Sequence, residues 1–209
     1  MGQQQGLTDM SIAEINDAVG CKAPRLGGST ASLACALIGL GMAEMAVVIS
    51  AARDKQDSAL SHAEQEIGHL TQRLADAAEQ DRIQFQRYMS ILRQKSEEDH
   101  KPDKPLEDAG ADATRQPLEA ADVLMDCLEL LAGVAGHIHH VVASDLFSGA
   151  GIVKAAFAGT MMAADVNLAE DRLSDLKQKT EAQRRDLDQR CRSAYAKLSQ
   201  AALKHGFRM

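Results

Sequence analysis

The chain has 209 residues, of which 45% are apolar and 25% charged, a profile that fits one globular domain over 1–209 and excludes disorder along the whole length. With 35 alanines, four Phe, two Tyr and no Trp, little is left to build strands from, so an all-α bundle of long antiparallel helices is expected. A formal net charge of −7 without any cluster of Lys and Arg argues against nucleic-acid and anionic-membrane partners, because neutralising phosphates needs a concentrated basic surface.

Cys21, Cys35, Cys127 and Cys191 are scattered, with no Cys-x-x-Cys pair, and the first residues lack a secretory signal pattern. A reducing cytoplasm is the expected setting, and zinc held by thiolates is not expected. Leu26 to Ala52 is long enough to cross a bilayer, yet it contains Glu44 and several glycines and reads as a buried core helix.

Residues 1–7 are polar and expected to be loose. Ser11 with Glu14 makes a capping-box start for a short helix ending near Gly20. A loop with Pro24 and the Gly27-Gly28 pair follows, and the N-cap types Ser29 and Thr30 precede an Ala-rich helix running to about Arg53. Amide groups at that helix start are suited to an anion or a polar ligand.

From Ser58 to about Lys95, apolar residues recur at helical spacing: Leu60, Ala63, Ile67, Leu70, Leu74, Ala77, then Phe85, Tyr88 and Leu92. Asp81 breaks that stripe, four after Ala77 and four before Phe85. Ser96 to Pro117 is charged and carries three prolines, so it reads as a long loop. A third helical block opens at Pro117-Leu118 and runs towards Gly133, and a fourth covers Val134 to about Val166. Between Leu131 and Val153 the one Asp, Glu, Lys or Arg is Asp145, in a setting that usually excludes carboxylates. The last helix, Leu168 to about Lys204, is highly charged with a narrow apolar face, which packs on the bundle or on a second subunit.

Asp81 and Asp145 are the sharpest chemical signal, because apolar surroundings raise carboxyl pKa values towards the range useful for proton transfer; structural hydrogen bonding is the alternative. His137, His139 and His140 form a local cluster without a Glu-x-x-His or Cys/His framework, so no metal is expected there. Arg25 and Lys22, beside the glycine pair, and Lys55, past the first long helix, are candidate partners for a ligand carboxylate, or simply solvated.

Taken in order, these segments resemble the cyclodeaminase/cyclohydrolase family of folate enzymes over nearly the whole chain. Pro24-Arg-Leu-Gly27-Gly28-Ser29, leading into the Ala-rich helix, resembles the family's Pro-Gly-Gly-Gly-Ser turn, with Leu26 in place of one glycine. Asp81-Arg-Ile-Gln-Phe85 resembles its Asp-x-x-x-Phe, Pro117-Leu118 its Pro-Leu helix start and Ser144-Asp145 its Ser-Asp. Asp165-Val166-Asn167 stands where it has Asn-Val, and its lysine-rich stretch is reduced to Arg53-Asp-Lys55.

The resemblance implies a tetrahydrofolate derivative as substrate, no separate cofactor, and chemistry at the carbon between N5 and N10. Hydrolysis of 5,10-methenyltetrahydrofolate to the 10-formyl product is the expected reaction, because the chain has no room for an attached formiminotransferase domain. Release of ammonia from 5-formiminotetrahydrofolate, or a non-catalytic folate-binding protein, are the alternatives. Asp145 is expected beside the reacting carbon, with Asp81 positioning the ligand or shuttling protons. Gly27, Gly28, Ser29, Ser144 and Asp165 are expected to touch the ligand, and Arg25 or Lys55 to meet its glutamate. A homodimer is expected, because long Ala/Gly-rich helices have apolar faces that one copy does not cover.

Overall fold

The computed structural model describes residues 5–94, 104–170 and 173–209, and among these all regular structure is helical. Six helices follow one another: α1 Ile12–Val19, α2 Gly28–Arg53, α3 Ser58–Gln94, α4 Lys104–Val134, α5 Ala143–Leu168 and α6 Ser174–Lys204. The Ser11–Glu14 capping box forms at α1, with Ser11 Oγ accepting from Glu14 N–H and the Glu14 carboxylate accepting from Ser11 N–H.

Helices α2 and α5 make the centre of the bundle. They touch backbone to backbone: a Cβ built on Gly149 would lie 2.2 Å from the Gly39 carbonyl oxygen, and one on Gly39 2.8 Å from the Gly149 carbonyl oxygen. Both helices have the length and composition to cross a membrane, but one side of α2 is core, with Leu33, Leu40 and Val47 fully buried. Helix α3 packs on α2 and α4, α4 packs on α5, and α6 lies outside on α4 and α5.

Three sequence expectations are corrected. The predicted loop Ser96 to Pro117 is helical from Lys104 onwards, and α4 runs through Pro117 rather than starting there; residues 96–103 lie outside the described residues. The apolar positions Leu106, Ala109, Gly110 and Thr114 are buried, so packing overrides the charged composition. At the other end of the predicted loose tail, Leu7 is buried and its N–H donates to Glu79. The fourth block starts at Ala143 instead of Val134, after a turn through Gly136 and a 3-10 turn at His140–Val142.

Helix α6 buries Leu187, Cys191, Ala194 and Leu198 in the core and is tied to α4 by the side chain of Arg190. Arg190 donates to both oxygens of Glu129 at 3.0 and 2.9 Å and reaches Asp122 at 3.2 Å and Asp126 at 3.3 Å. These carboxylates keep its guanidinium protonated well above the ordinary arginine range. Arg190→Ala is expected to cost roughly 1–2 kcal/mol and to make α6 the first segment cut in limited proteolysis.

Candidate active site

The α2 start, the middle of α3, α4 at Pro117 and the C-terminal half of α5 enclose a cleft of about 350 Å³. Its wall includes Gly27, Gly28, Ser29, Asp81, Phe85, Tyr88, Pro117, Met162 and Asn167. Gly27 caps α2 without a side chain, because the space a Cβ would need is filled by the Phe85 ring, 3.0 Å away. Ser29 and Thr30 therefore fall inside the first turn instead of capping it, and their hydroxyls are released to reach across to α3.

Both hydroxyls converge on one oxygen. Ser29 Oγ donates to Asp81 Oδ2 at 2.7 Å and Thr30 Oγ1 donates to the same atom at 2.5 Å. Asp81 is 3% exposed, yet it borders the cleft, and Oδ1 has no hydrogen-bond partner among the described residues. Burial pushes its carboxyl above the ordinary aspartate value, and the two hydroxyls oppose that shift. The result is a fixed carboxyl with one free oxygen in a largely apolar cleft, an arrangement suited to carrying a proton to and from a bound molecule.

The predicted site residues separate into groups. Gly27, Gly28, Ser29 and Asp81 form the cleft, and exposed Arg25 lies next to it in a small depression that shares Phe85 and contains Arg93. Lys55, Ser144 and Asp145 lie at the far end of the bundle. Asp145 stands half-buried in the first turn of α5, where the helix dipole favours a carboxylate, and is roughly 33 Å along the helix from Asn167. Asp165 faces away from the cleft and pairs with Arg184 of α6; its neighbour Asn167 lines the cleft instead. Tyr88, Met162 and Asn167 were not among the sequence candidates, and only Asn167 carried a local signal, as the neighbour of the Asn-Val match.

The histidine cluster belongs to the far end as well. His137 Nδ1 meets Asp57 Oδ2 at 2.6 Å, while the other oxygen of Asp57 caps α3 through Ala59 and Leu60 N–H. His139 Nε2 lies 3.1 Å from Arg53; partial burial and that guanidinium lower the pKa of its ring. Among the described residues no three His, Cys, Asp or Glu side chains are gathered as metal ligands. A larger groove of about 490 Å³ runs between α5 and α6, but its carboxylates are already paired, Asp165 with Arg184 and Asp188 with Arg192.

Among the described residues this all-helical bundle buries one carboxyl, Asp81, and presents it to a cleft of small-molecule size, the kind of site at which an α-class protein binds a ligand or moves a proton. The chain belongs to the formiminotransferase-cyclodeaminase family, whose model matches residues 11–186. In fold it is similar to the crystal structure of a formiminotetrahydrofolate cyclodeaminase from Thermotoga maritima, with a TM-score of 0.82 at 17% identity, over 96% of this chain and 100% of that one. No curated protein sequence matches it.

Proposed function

We propose that the chain is a folate one-carbon enzyme that closes the ring of 5-formiminotetrahydrofolate and releases ammonia. The observation that carries this reading is Asp81, which borders the cleft, anchored through Oδ2 and without a partner at Oδ1 among the described residues. N10 adds to the carbon of the formimino group, protonated on its imino nitrogen, giving a tetrahedral centre bonded to N5, N10 and an amine. Asp81 takes the N10 proton and returns one to the amine, which leaves as ammonia, so the carboxyl ends as it began. The product is the methenyl cation.

The expectation of hydrolysis rested on chain length, and that ground is lost, because the structural neighbour of matching length bears the cyclodeaminase name. Hydrolysis of the methenyl compound remains the second reading. The same carbon is reached by water, and in a single copy the cleft opens to solvent beside Met162 and Val166, which are 66% and 71% exposed. Two assays decide: ammonia release from 5-formiminotetrahydrofolate, and decay of the methenyl chromophore above the buffer rate. Turnover in the second assay alone makes the protein a cyclohydrolase, and turnover in neither makes it a binding protein.

The proposed partner is a second copy of the chain. Ile38, Met45 and Val48 of α2 and Met162 and Val166 of α5 leave apolar surface exposed, continuous with the cleft at Met162 and Val166. A two-fold axis crossing α5 near its middle sets the helix antiparallel to its copy and brings the partner subunit's Asp145 towards this cleft. The two carboxylates, far apart in one copy, then serve one site. Light scattering is expected to give a dimer mass, and Asp145→Asn to lower turnover by ~100-fold with the fold intact. Mixing inactive Asp81→Asn and Asp145→Asn proteins should restore about a quarter of parent activity, through mixed dimers with one intact site. A monomer mass, or no recovery on mixing, removes Asp145 from the site.

A further inference from the structure

Pro117 interrupts the hydrogen-bond ladder of α4 at one rung. Lacking an N–H, it leaves the Ala113 carbonyl without its helical donor, inside a helix that otherwise runs from Lys104 to Val134. The missing donor comes from another helix: Asn167 Nδ2, at the end of α5, donates to Ala113 O at 3.1 Å. A carbonyl oxygen only accepts, so the amide nitrogen of Asn167 must face Ala113 and its Oδ1 is turned away from it. Ala113, Pro117 and Asn167 all line the Asp81 cleft, and Asn167 Oδ1 has no hydrogen-bond partner among the described residues.

On the folate reading above, we propose that Asn167 Oδ1 is the specificity-determining acceptor of the site, receiving an N–H of the ligand's fused heteroring, and that Pro117 is the positioning residue that fixes its direction. An amide on a rotatable side chain discriminates poorly, because it can turn to offer either a donor or an acceptor. Held by a backbone carbonyl, it offers an acceptor only. A ring that presents an acceptor at that point would meet an unpaired oxygen and bind weakly.

The test compares the parent with Pro117→Ala, Asn167→Ala and the double variant, reading melting temperature and the dissociation constant for 5-formyltetrahydrofolate by calorimetry. Asn167→Ala leaves the Ala113 carbonyl unpaired, so both the melting temperature and the affinity should fall, the latter by about tenfold. Pro117→Ala restores the rung from within α4, so melting temperature should hold or rise while binding weakens several-fold, because the Asn167 amide is no longer held. The double variant should recover the melting temperature and bind no better than Asn167→Ala. A purely structural role makes the opposite forecast: affinity follows stability, and the double variant binds like the parent, which overturns the assignment alone. Absence of 5-formyltetrahydrofolate binding by the parent overturns the folate reading and the assignment with it.

Discussion

Replacing Asp81 by Asn is expected to lower turnover by ~100-fold or more while the melting temperature holds or rises. The change keeps the size of the side chain and an oxygen for the Ser29 and Thr30 hydroxyls, and removes only the ability to carry a proton. Its effect on stability follows from the direction of the pKa shift. Burial raises the Asp81 carboxyl above its unfolded value, so its contribution to stability is fully present below the unfolded pKa and is lost as pH rises through the folded one. The parent should therefore lose ground against Asp81→Asn as pH rises above the ordinary aspartate value, which paired thermal melts across a pH series measure. A variant that melts lower than the parent at neutral pH, with unchanged activity per folded molecule, would make Asp81 a structural residue.

The largest loss of stability is expected from a single methyl group. In Gly149→Ala the new Cβ would meet the Gly39 carbonyl oxygen at 2.2 Å and the Ala43 nitrogen at 3.2 Å, both backbone atoms of a 26-residue helix. No rotamer change relieves such a contact, so α2 and α5 must move apart along their length. We expect a cost of about 3 kcal/mol or more in urea denaturation. Gly68→Ala is the control: nothing lies within 4 Å of its Cβ, and the gain in helix propensity should stabilise by roughly 0.5–1 kcal/mol. Equal stability of the two variants would contradict the close approach of α2 and α5.

Structure is legible in the chain where the physics is local. The capping box at Ser11 and Glu14, the helical stripe of α3 and the misfit of Asp81 in that stripe all depend on residues within a turn or two of one another. Asp81 stood out because a carboxylate occupied an apolar position, and its burial is what the stripe required. Ser29 and Thr30 were expected as caps because their residue types favour that role, and the reason they serve Asp81 instead, the Phe85 ring over Gly27, lies far away along the chain. Pro117 reads as a helix start for the same reason. Proline breaks a helix in isolation, but here Asn167, distant in sequence, makes good the lost hydrogen bond. Asp145 shows the limit in reverse: its apolar neighbours in sequence suggested burial, whereas its place in the first turn of α5 leaves it half-exposed.

In water the two oxygens of a carboxylate are interchangeable, and a proton visits both equally. The fold removes that equivalence at Asp81. With two hydroxyl donors crowded on Oδ2, a proton on that atom would displace one of them, so the acid form carries its hydrogen on Oδ1. Proton delivery thus has an address as well as a donor. On the cyclodeaminase reading proposed above, a substrate rotated by half a turn in the cleft would find the same carboxyl and the wrong atom, and two hydroxyl groups that never touch the amine would decide the face from which it departs.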